Sequence, residues 1–162
     1  FHVASPHLNN RWQFPYTCVT PHHDGQDRMT KQDPLVLVLE GGTVRDIPSF
    51  YAEINRLFMA DADWQLGHSL DALDDMLYGG YGVLAGHAGA TLIWKDIEYS
   101  RNALGVETTR AWLQAKLDGN ERFNRPLIAG QLQALDAGKG PTFFQVVMDI
   151  FAAHAQITLV CN

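Results

Sequence analysis

LVLVLE at residues 35–40 is a continuous apolar run of Leu and Val that ends at Glu40 and is followed by two glycines. A strand that is apolar on both faces is typical of a parallel sheet covered by helices. Residues 47–58 follow with apolar side chains at helical spacing, and Pro48 fits the first turn, where a missing N–H costs nothing. The stretch therefore predicts a buried strand that leads into a helix over about 48–59.

Two other segments have the character of short strands, ATLIWK at 90–95 and QITLVCN at 156–162. Further helices are predicted over 69–78, 97–105, 106–119, 126–138 and 141–155, with Gly130 interrupting the fourth and Pro141 starting the fifth. Parallel strands need long crossovers, which helices usually supply. The order of elements therefore predicts an α/β domain in which a small three-stranded parallel sheet is flanked by helices.

The chain has 162 residues and a net charge of −6, and 46% of its residues are hydrophobic, enough for one domain with a core. Residues 1–28 show no clear periodicity and hold two Arg and two Asp, so the whole net charge falls in residues 29–162. We therefore predict a poorly ordered tail or extension at 1–28 and a folded domain at 29–162. The negative net charge disfavours nucleic acid and anionic membranes as partners and favours a basic partner.

The two cysteines, Cys18 and Cys161, lie far apart in the sequence. Two distant cysteines do not make a disulfide framework, and a reducing compartment explains them more simply. No apolar run approaches the roughly 18 residues that span a bilayer, and residues 1–28 lack the pattern of a signal peptide. We therefore expect a cytoplasmic protein.

The segment GHSLDALDDMLYGG at 67–80 predicts a short amphipathic helix. Ser69 is a good N-cap, and the two closing glycines stand where helices usually end. The apolar stripe consists of Leu70, Leu73, Met76 and Leu77. A stripe that faces the core turns Asp71 and Asp75 outward, on one face with Tyr78.

The carboxylates of this helix have no neutralising cation nearby in the sequence, since no Lys or Arg occurs between Arg56 and Lys95. Asp71 and Asp75 repel each other by roughly 0.2–0.5 kcal/mol in an isolated helix, and Asp74 adds to the negative field. One explanation is a solvated acidic face. The other is a docking surface for a cationic cleft, in which carboxylates imitate phosphates by accepting charge-assisted hydrogen bonds from Arg and Lys.

A metal site is a further alternative for the same residues. His68, Asp71 and Asp75 have the spacing i, i+3, i+7, which would set three ligands along one face for a small metal-dependent hydrolase. His68 precedes the N-cap, however, and no second cluster of His or Cys has ligand spacing. His68 is therefore also a candidate for contact with a partner or with a neighbouring carboxylate.

The string GHSLDALDDML at 67–77 resembles the signature of the barstar family, intracellular inhibitors of the ribonuclease barnase. The surrounding elements agree: a strand leads into a helix before the string, a strand follows it, and the chain closes on a helix and a strand. The resemblance covers about 35–102 and 141–162. It leaves 105–138 as an inserted helical segment, for which we expect two helices.

The resemblance implies a barstar-like fold, a three-stranded parallel sheet between helices. In that family the acidic helix and the loop before it plug the nuclease active site. The two signature aspartates that make much of this contact match Asp71 and Asp75. A contributing carboxylate on the last helix of the family has Asp149 as its match here.

This sequence departs from the family pattern in its aromatic residues. The family has aromatic side chains in the loop before the acidic helix and directly before the second aspartate, where this chain has Leu66 and Asp74. Trp64, Tyr78 and Tyr81 are candidates to supply aromatic contacts from other positions. The departures bear on the identity of the target nuclease more than on the mode of binding.

We therefore predict a cytoplasmic protein inhibitor of a basic ribonuclease, either barnase-type or a toxin domain. The prediction includes no enzymatic activity, no cofactor or metal, and no direct contact with nucleic acid or membrane. The predicted partner-binding residues are Trp64, Gly67, His68, Asp71, Asp74, Asp75, Tyr78, Tyr81 and Asp149. The alternatives are the metal-dependent hydrolase and a barstar-fold binding module that does not inhibit a nuclease.

Overall fold

A computed structural model of the chain describes residues 35–162, so the predicted tail at 1–28 lies outside the described residues. The strands are β1 (Leu35–Glu40), β2 (Ala90–Lys95) and β3 (Ile157–Cys161). They form one parallel sheet in the order β1-β2-β3. Leu92 at the centre of β2 pairs with Leu37 on one side and Leu159 on the other. The predicted three-stranded parallel sheet is confirmed.

The described part of the chain contains six α-helices. They are α1 (Ile47–Phe58), α2 (Leu70–Leu77), α3 (Ile97–Ala103), α4 (Val106–Asp118), α5 (Arg125–Asp136) and α6 (Phe143–Ala153). Short 3-10 turns follow β1 and precede β2, at Gly41–Thr43 and Gly82–Leu84. Within residues 35–162 none of these helices has the length and apolar character to cross a bilayer. The α/β class is as the sequence predicts.

Two helix predictions need correction. The last helix begins at Phe143 and not at Pro141, because Thr142 is its N-cap and forms a capping box with Gln145. The predicted interruption at Gly130 does not occur, and α5 runs through this position. An exposed glycine weakens a helix by about 1 kcal/mol without breaking its hydrogen-bond ladder.

Trp94 at the end of β2 is the largest fully buried side chain among the described residues. Its ring lies 6.0 Å from that of Phe50 in α1 and 6.1 Å from that of Phe151 in α6. Its Nε1 donates to Ser100 Oγ at 3.0 Å, and that hydroxyl donates to the carbonyl of Gly41 at 3.0 Å. The residue therefore joins helices on the sheet to the end of β1 without leaving its indole N–H unpaired.

A buried carboxylate protects the open edge of β1. Glu53 Oε1 accepts a hydrogen bond from the backbone N–H of Glu40 at 2.8 Å and another from Arg56 at 2.6 Å. The same guanidinium donates to the carbonyl of Val38 at 3.1 Å. Burial raises the pKa of Glu53, but the hydrogen bonds from Arg56 and Glu40 outweigh it and hold this pKa below the ordinary 4.5. These contacts use edge groups that otherwise invite pairing with another chain.

Helices α4 and α5 form an α4–α5 hairpin with a small core of its own. That core consists of Leu113, Ile128 and Leu135. The hairpin is attached to α6 through Trp112, whose ring lies 5.2 Å from that of Phe143. Thr109 is buried beside this contact and accepts the N–H of Phe143 at 2.7 Å. The hairpin supplies the two helices that the sequence predicts for 105–138.

Candidate partner-binding surface

The acidic helix α2 begins and ends as its sequence predicts. Ser69 is the N-cap, and its Oγ accepts the N–H of Ala72 at 3.3 Å. Gly79 follows the helix with a φ of 90°, a conformation that other residues rarely adopt. Leu73, Met76 and Leu77 are buried, so the opposite side of the helix faces outward.

The loop before α2 is held by a buried side chain that the sequence interpretation missed. Asn55 in α1 donates from Nδ2 to the carbonyl of Leu66 at 3.1 Å and accepts the N–H of Leu66 at 2.7 Å. Gly67 then accepts the N–H of Ser69 at 2.8 Å, which closes the turn into the helix. A polar residue beside the apolar stripe of α1 was the available signal. Because both backbone groups of Leu66 are paired, the start of α2 has a fixed position.

His68 packs against Tyr51 at the start of α2. The two rings are stacked with centroids 5.2 Å apart. Burial raises the pKa of Tyr51 well above its ordinary value of 10.0, and the negative charge of Asp71 raises it further. Asp71 therefore lies near the Tyr51 ring, at the same end of the helix as His68.

Three predicted carboxylates meet at what we call the acidic groove. Asp71 and Asp74 of α2 and Asp149 of α6 line this groove, which has a volume of about 390 Å³. Asp71 and Asp149 are exposed, and the side chain of Asp74 is 41% exposed. The structure thus brings Asp149 next to the acidic helix. Several carboxylates around one groove create a negative potential suited to a guanidinium or an ammonium group.

Asp74 also has a structural contact that the sequence did not indicate. Its Oδ1 lies 2.7 Å from Nε2 of His154, which is buried at the end of α6. Gln156 approaches the other ring nitrogen, with its amide nitrogen 3.4 Å from Nδ1. Tyr78 packs edge-on against the same imidazole, with ring centroids 4.6 Å apart. This contact joins the acidic helix to α6 across 80 positions of sequence.

Asp75 does not line the acidic groove and lies beside an aromatic patch that consists of Trp64 and Tyr81. The two rings are tilted with centroids 5.3 Å apart, and Trp64 is 52% exposed. Burial raises the pKa of Tyr81, and the nearby charge of Asp75 raises it further. The predicted aromatic residues are therefore divided, because Tyr81, on which Trp64 packs, lies near Asp75 whereas Tyr78 contacts His154.

No Lys or Arg lies near α2 in the sequence, but a lysine from another helix responds to the charge of one of its carboxylates. Lys116 of α4 lies close enough to Asp71 to respond to its charge: burial lowers the pKa of Lys116, and the carboxylates of Asp71 and Glu121 oppose that decrease. The Lys116 ammonium lies 3.7 Å from the centroid of the Trp112 ring and 5.3 Å from that of Phe123. Lys116 belongs to the α4–α5 hairpin, so local sequence spacing around α2 could not reveal it.

The three-ligand metal arrangement does not form. Within residues 35–162 no group of three or more His, Cys, Asp or Glu side chains is placed to hold a metal ion. His68 instead stacks on Tyr51, away from the aromatic patch that adjoins Asp75.

Comparison with known proteins gives one family. A protein-family model described as Barstar (barnase inhibitor) matches residues 35–125, more than half of the chain. The match includes β1, α2 and β2 and continues through α4, so it extends farther into 105–138 than the resemblance in the sequence indicates. It ends before α6 and β3. A search of curated proteins found no match to the chain.

Proposed function

The chain belongs to the barstar family, and from this premise we propose that it inhibits a basic ribonuclease by covering the active site of that enzyme with the outer side of α2. The family model is described as a barnase inhibitor, which supports a ribonuclease as the class of partner. In this proposal the protein acts as an inhibitor and not as an enzyme. We also propose a cytoplasmic site of action, on the strength of its cysteine content.

The acidic groove is the observation that carries the proposal. Asp71, Asp74 and Asp149 come from two helices that are distant in sequence and line one opening. A ribonuclease binds phosphates with cationic side chains, and carboxylates at such positions accept the same charge-assisted hydrogen bonds. Blockade then needs no chemistry by the inhibitor, because the bound helix excludes the RNA.

The remaining proposed contacts are of two kinds, an ionic contact and apolar contacts. Asp75 is exposed beside the aromatic patch, so a partner cation can bind its carboxylate while Trp64 and Tyr81 cover the apolar rim. Aromatic anchors beside a desolvated ion pair are the usual composition of an interface hot spot. Gly67 and His68 lie exposed in the loop before α2 and extend the proposed contact toward α1.

Inhibition of RNA cleavage by a barnase-type ribonuclease tests this proposal directly. We expect stoichiometric inhibition at low ionic strength, and we expect Asp75→Ala to weaken binding by at least about 2 kcal/mol without loss of the fold. Glu98→Ala is the matched control, since it removes one negative charge from an exposed position on α3. Rising salt should slow association more than it speeds dissociation.

The outcomes separate the candidate functions. Equal inhibition by wild type and Asp75→Ala would reject the assigned interface while leaving an inhibitor. Absence of inhibition by folded wild type would reject this class of nuclease as the target. The fold would then support a barstar-family module that binds another protein.

A further inference from the structure

His154 has a fixed position where α6 leads into β3. Its backbone N–H donates to the carbonyl of Phe151 at 3.2 Å, and its carbonyl accepts the N–H of Ile157 at 2.9 Å. Its side chain is 2% exposed. Because protein interiors are close-packed, a buried ring whose backbone is bonded to the helix on one side and to the strand on the other has little freedom to move.

This imidazole is bonded to a carboxylate of the acidic groove. Nε2 of His154 lies 2.7 Å from Oδ1 of Asp74, whose side chain is 41% exposed. An ionised carboxylate only accepts hydrogen bonds, so the hydrogen in this contact belongs to Nε2. Because Asp74 also lines the groove, its carboxylate can accept a hydrogen bond from a partner while Oδ1 is bonded to the ring.

Two further contacts join the end of α2 to the same segment. Gln156, two residues after His154, donates from Nε2 to the carbonyl of Leu77 at 2.7 Å. That carbonyl belongs to the last turn of α2, where carbonyl groups have no partner within the helix. Tyr78 packs edge-on against the imidazole, with ring centroids 4.6 Å apart. The segment between α6 and β3 thus contacts two of the predicted partner-binding residues, Asp74 and Tyr78.

We propose that His154 is a positioning residue of the partner-binding surface, which holds the Asp74 carboxylate in the orientation that a partner cation binds. An exposed aspartate samples several rotamers, and a hydrogen bond to a rigid ring removes this freedom before the partner arrives. Binding to a preorganised group is tighter, because less conformational entropy is lost in the complex. His154 lies outside residues 35–125, which the family model matches. The role rests on the proposed function, which makes the acidic groove the place of contact.

A hexa-arginine peptide, titrated into the full chain at low ionic strength, measures the binding of cations without a nuclease. We expect His154→Leu to weaken this binding about threefold, as for one side chain that must be ordered in the complex. His154→Gln should restore most of the affinity, because the amide nitrogen of glutamine can replace Nε2 as the donor. His87→Leu is the matched control and should bind like the wild type, since His87 is exposed in the segment before β2.

The same comparison in an Asp74→Asn background separates positioning from a general structural role. There His154→Leu and His154→Gln should bind the peptide equally, because the carboxylate that the ring positions is absent. Equal affinities of the two histidine variants with Asp74 present would overturn the proposal. A difference between them that persists with Asp74→Asn would also overturn it, since the histidine would then act through another part of the fold.

The imidazole resonances of His154 supply a test that needs neither a ligand nor a histidine variant. We expect NMR to show a proton on Nε2, and Asp74→Asn, at a half-exposed position, should shift the resonance of this proton. Asp71→Asn removes another carboxylate of the groove and should leave the resonance in place. A resonance that Asp74→Asn does not move would overturn the contact and the proposal with it. If these results hold and a ribonuclease is not inhibited, the proposed function alone is rejected.

Discussion

The body of the domain has a much larger hydrophobic core than the α4–α5 hairpin. The sheet with α1, α2, α3 and α6 surrounds one large core with fully buried aromatic rings, among them Trp94. The hairpin core has three buried residues, and its ring and hydrogen-bond contacts to α6 are made by Trp112 and Thr109. Elements with few buried apolar contacts open more readily than a large core does. The difference indicates that the hairpin, which carries Lys116, is less stable than the surface it adjoins.

The same substitution in each region tests this difference most strongly. Leu92 is fully buried in β2 and Leu113 is 3% exposed in α4. We expect Leu92→Ala to lower the global free energy of unfolding by about 3–4 kcal/mol, because it leaves a cavity among rigid neighbours. Leu113→Ala should cost about 2 kcal/mol and act within the hairpin, whose small core collapses more easily. Denaturant unfolding with hydrogen exchange of the separate helices measures both effects.

Hydrogen exchange would also show whether the hairpin and the body do not differ in stability. If Leu113→Ala reduced protection in the strands as much as in α4 and α5, the hairpin and the body would unfold as one cooperative unit. The acidic helix and Lys116 would then share a single stability.

Substitution of a buried carboxylate and of an exposed one should give the next largest difference in the free energy of unfolding. Glu53 is 7% exposed and its pKa lies below the ordinary value of 4.5. Its stabilising contribution is therefore complete above that pH and is lost as the pH falls through the lower pKa of the folded state. We expect Glu53→Gln to lower the free energy of unfolding by about 2 kcal/mol at pH 7 and to flatten its decrease in acid.

Glu107→Gln in the hairpin is the control for this measurement. The side chain of Glu107 is 90% exposed where it pairs with Arg110, and surface pairs of this kind contribute little. Its stability and acid dependence should match those of the wild type. A larger loss from Glu107→Gln than from Glu53→Gln would show that the exposed network, and not the edge of β1, responds to acid.

The fold could be predicted because local patterns determine most of it. The apolar run at 35–39 predicted a parallel strand covered on both sides, and the structure contains the parallel strand. The predicted burial of both faces is wrong, because Leu37 and Leu39 are buried but Val36 on the other face is 51% exposed. The Ser69 cap and the apolar stripe likewise place α2 and turn Asp71 and Asp75 outward. Local patterns failed at boundaries such as Phe143, where a capping box outweighs a nearby proline as the start of the helix.

The environment of the carboxylates could not be predicted in the same way. His154 reaches Asp74 across 80 positions, and Lys116 reaches the field of Asp71 from a segment outside the recognised signature. Such contacts depend on how the helices pack and leave no local pattern in the sequence. The sequence therefore indicated which side of α2 is acidic, but not which side chains from other elements surround its carboxylates.

A glycine-to-alanine substitution should have opposite effects on stability in the two regions, and the gain in the hairpin is the smallest effect that we expect. Gly130 lies in the middle of α5, and an added Cβ would meet nothing within 4 Å. Gly130→Ala should stabilise the hairpin by about 0.5–1 kcal/mol, because alanine loses less backbone entropy in a helix. Gly41→Ala is the contrasting variant in the body, where the new Cβ would lie 2.2 Å from the carbonyl oxygen of Lys95 and must destabilise the end of β1.

Hydrogen exchange in α4 and α5 is the measurement that resolves so small a gain. Because the hairpin is proposed to open separately, Gly130→Ala should slow exchange of these two helices and leave that of β2 unchanged. Slower exchange in β2 as well would mean that opening of the hairpin and of the body is coupled. Faster exchange in α5 would mean that the glycine serves a conformation of this helix other than the one described.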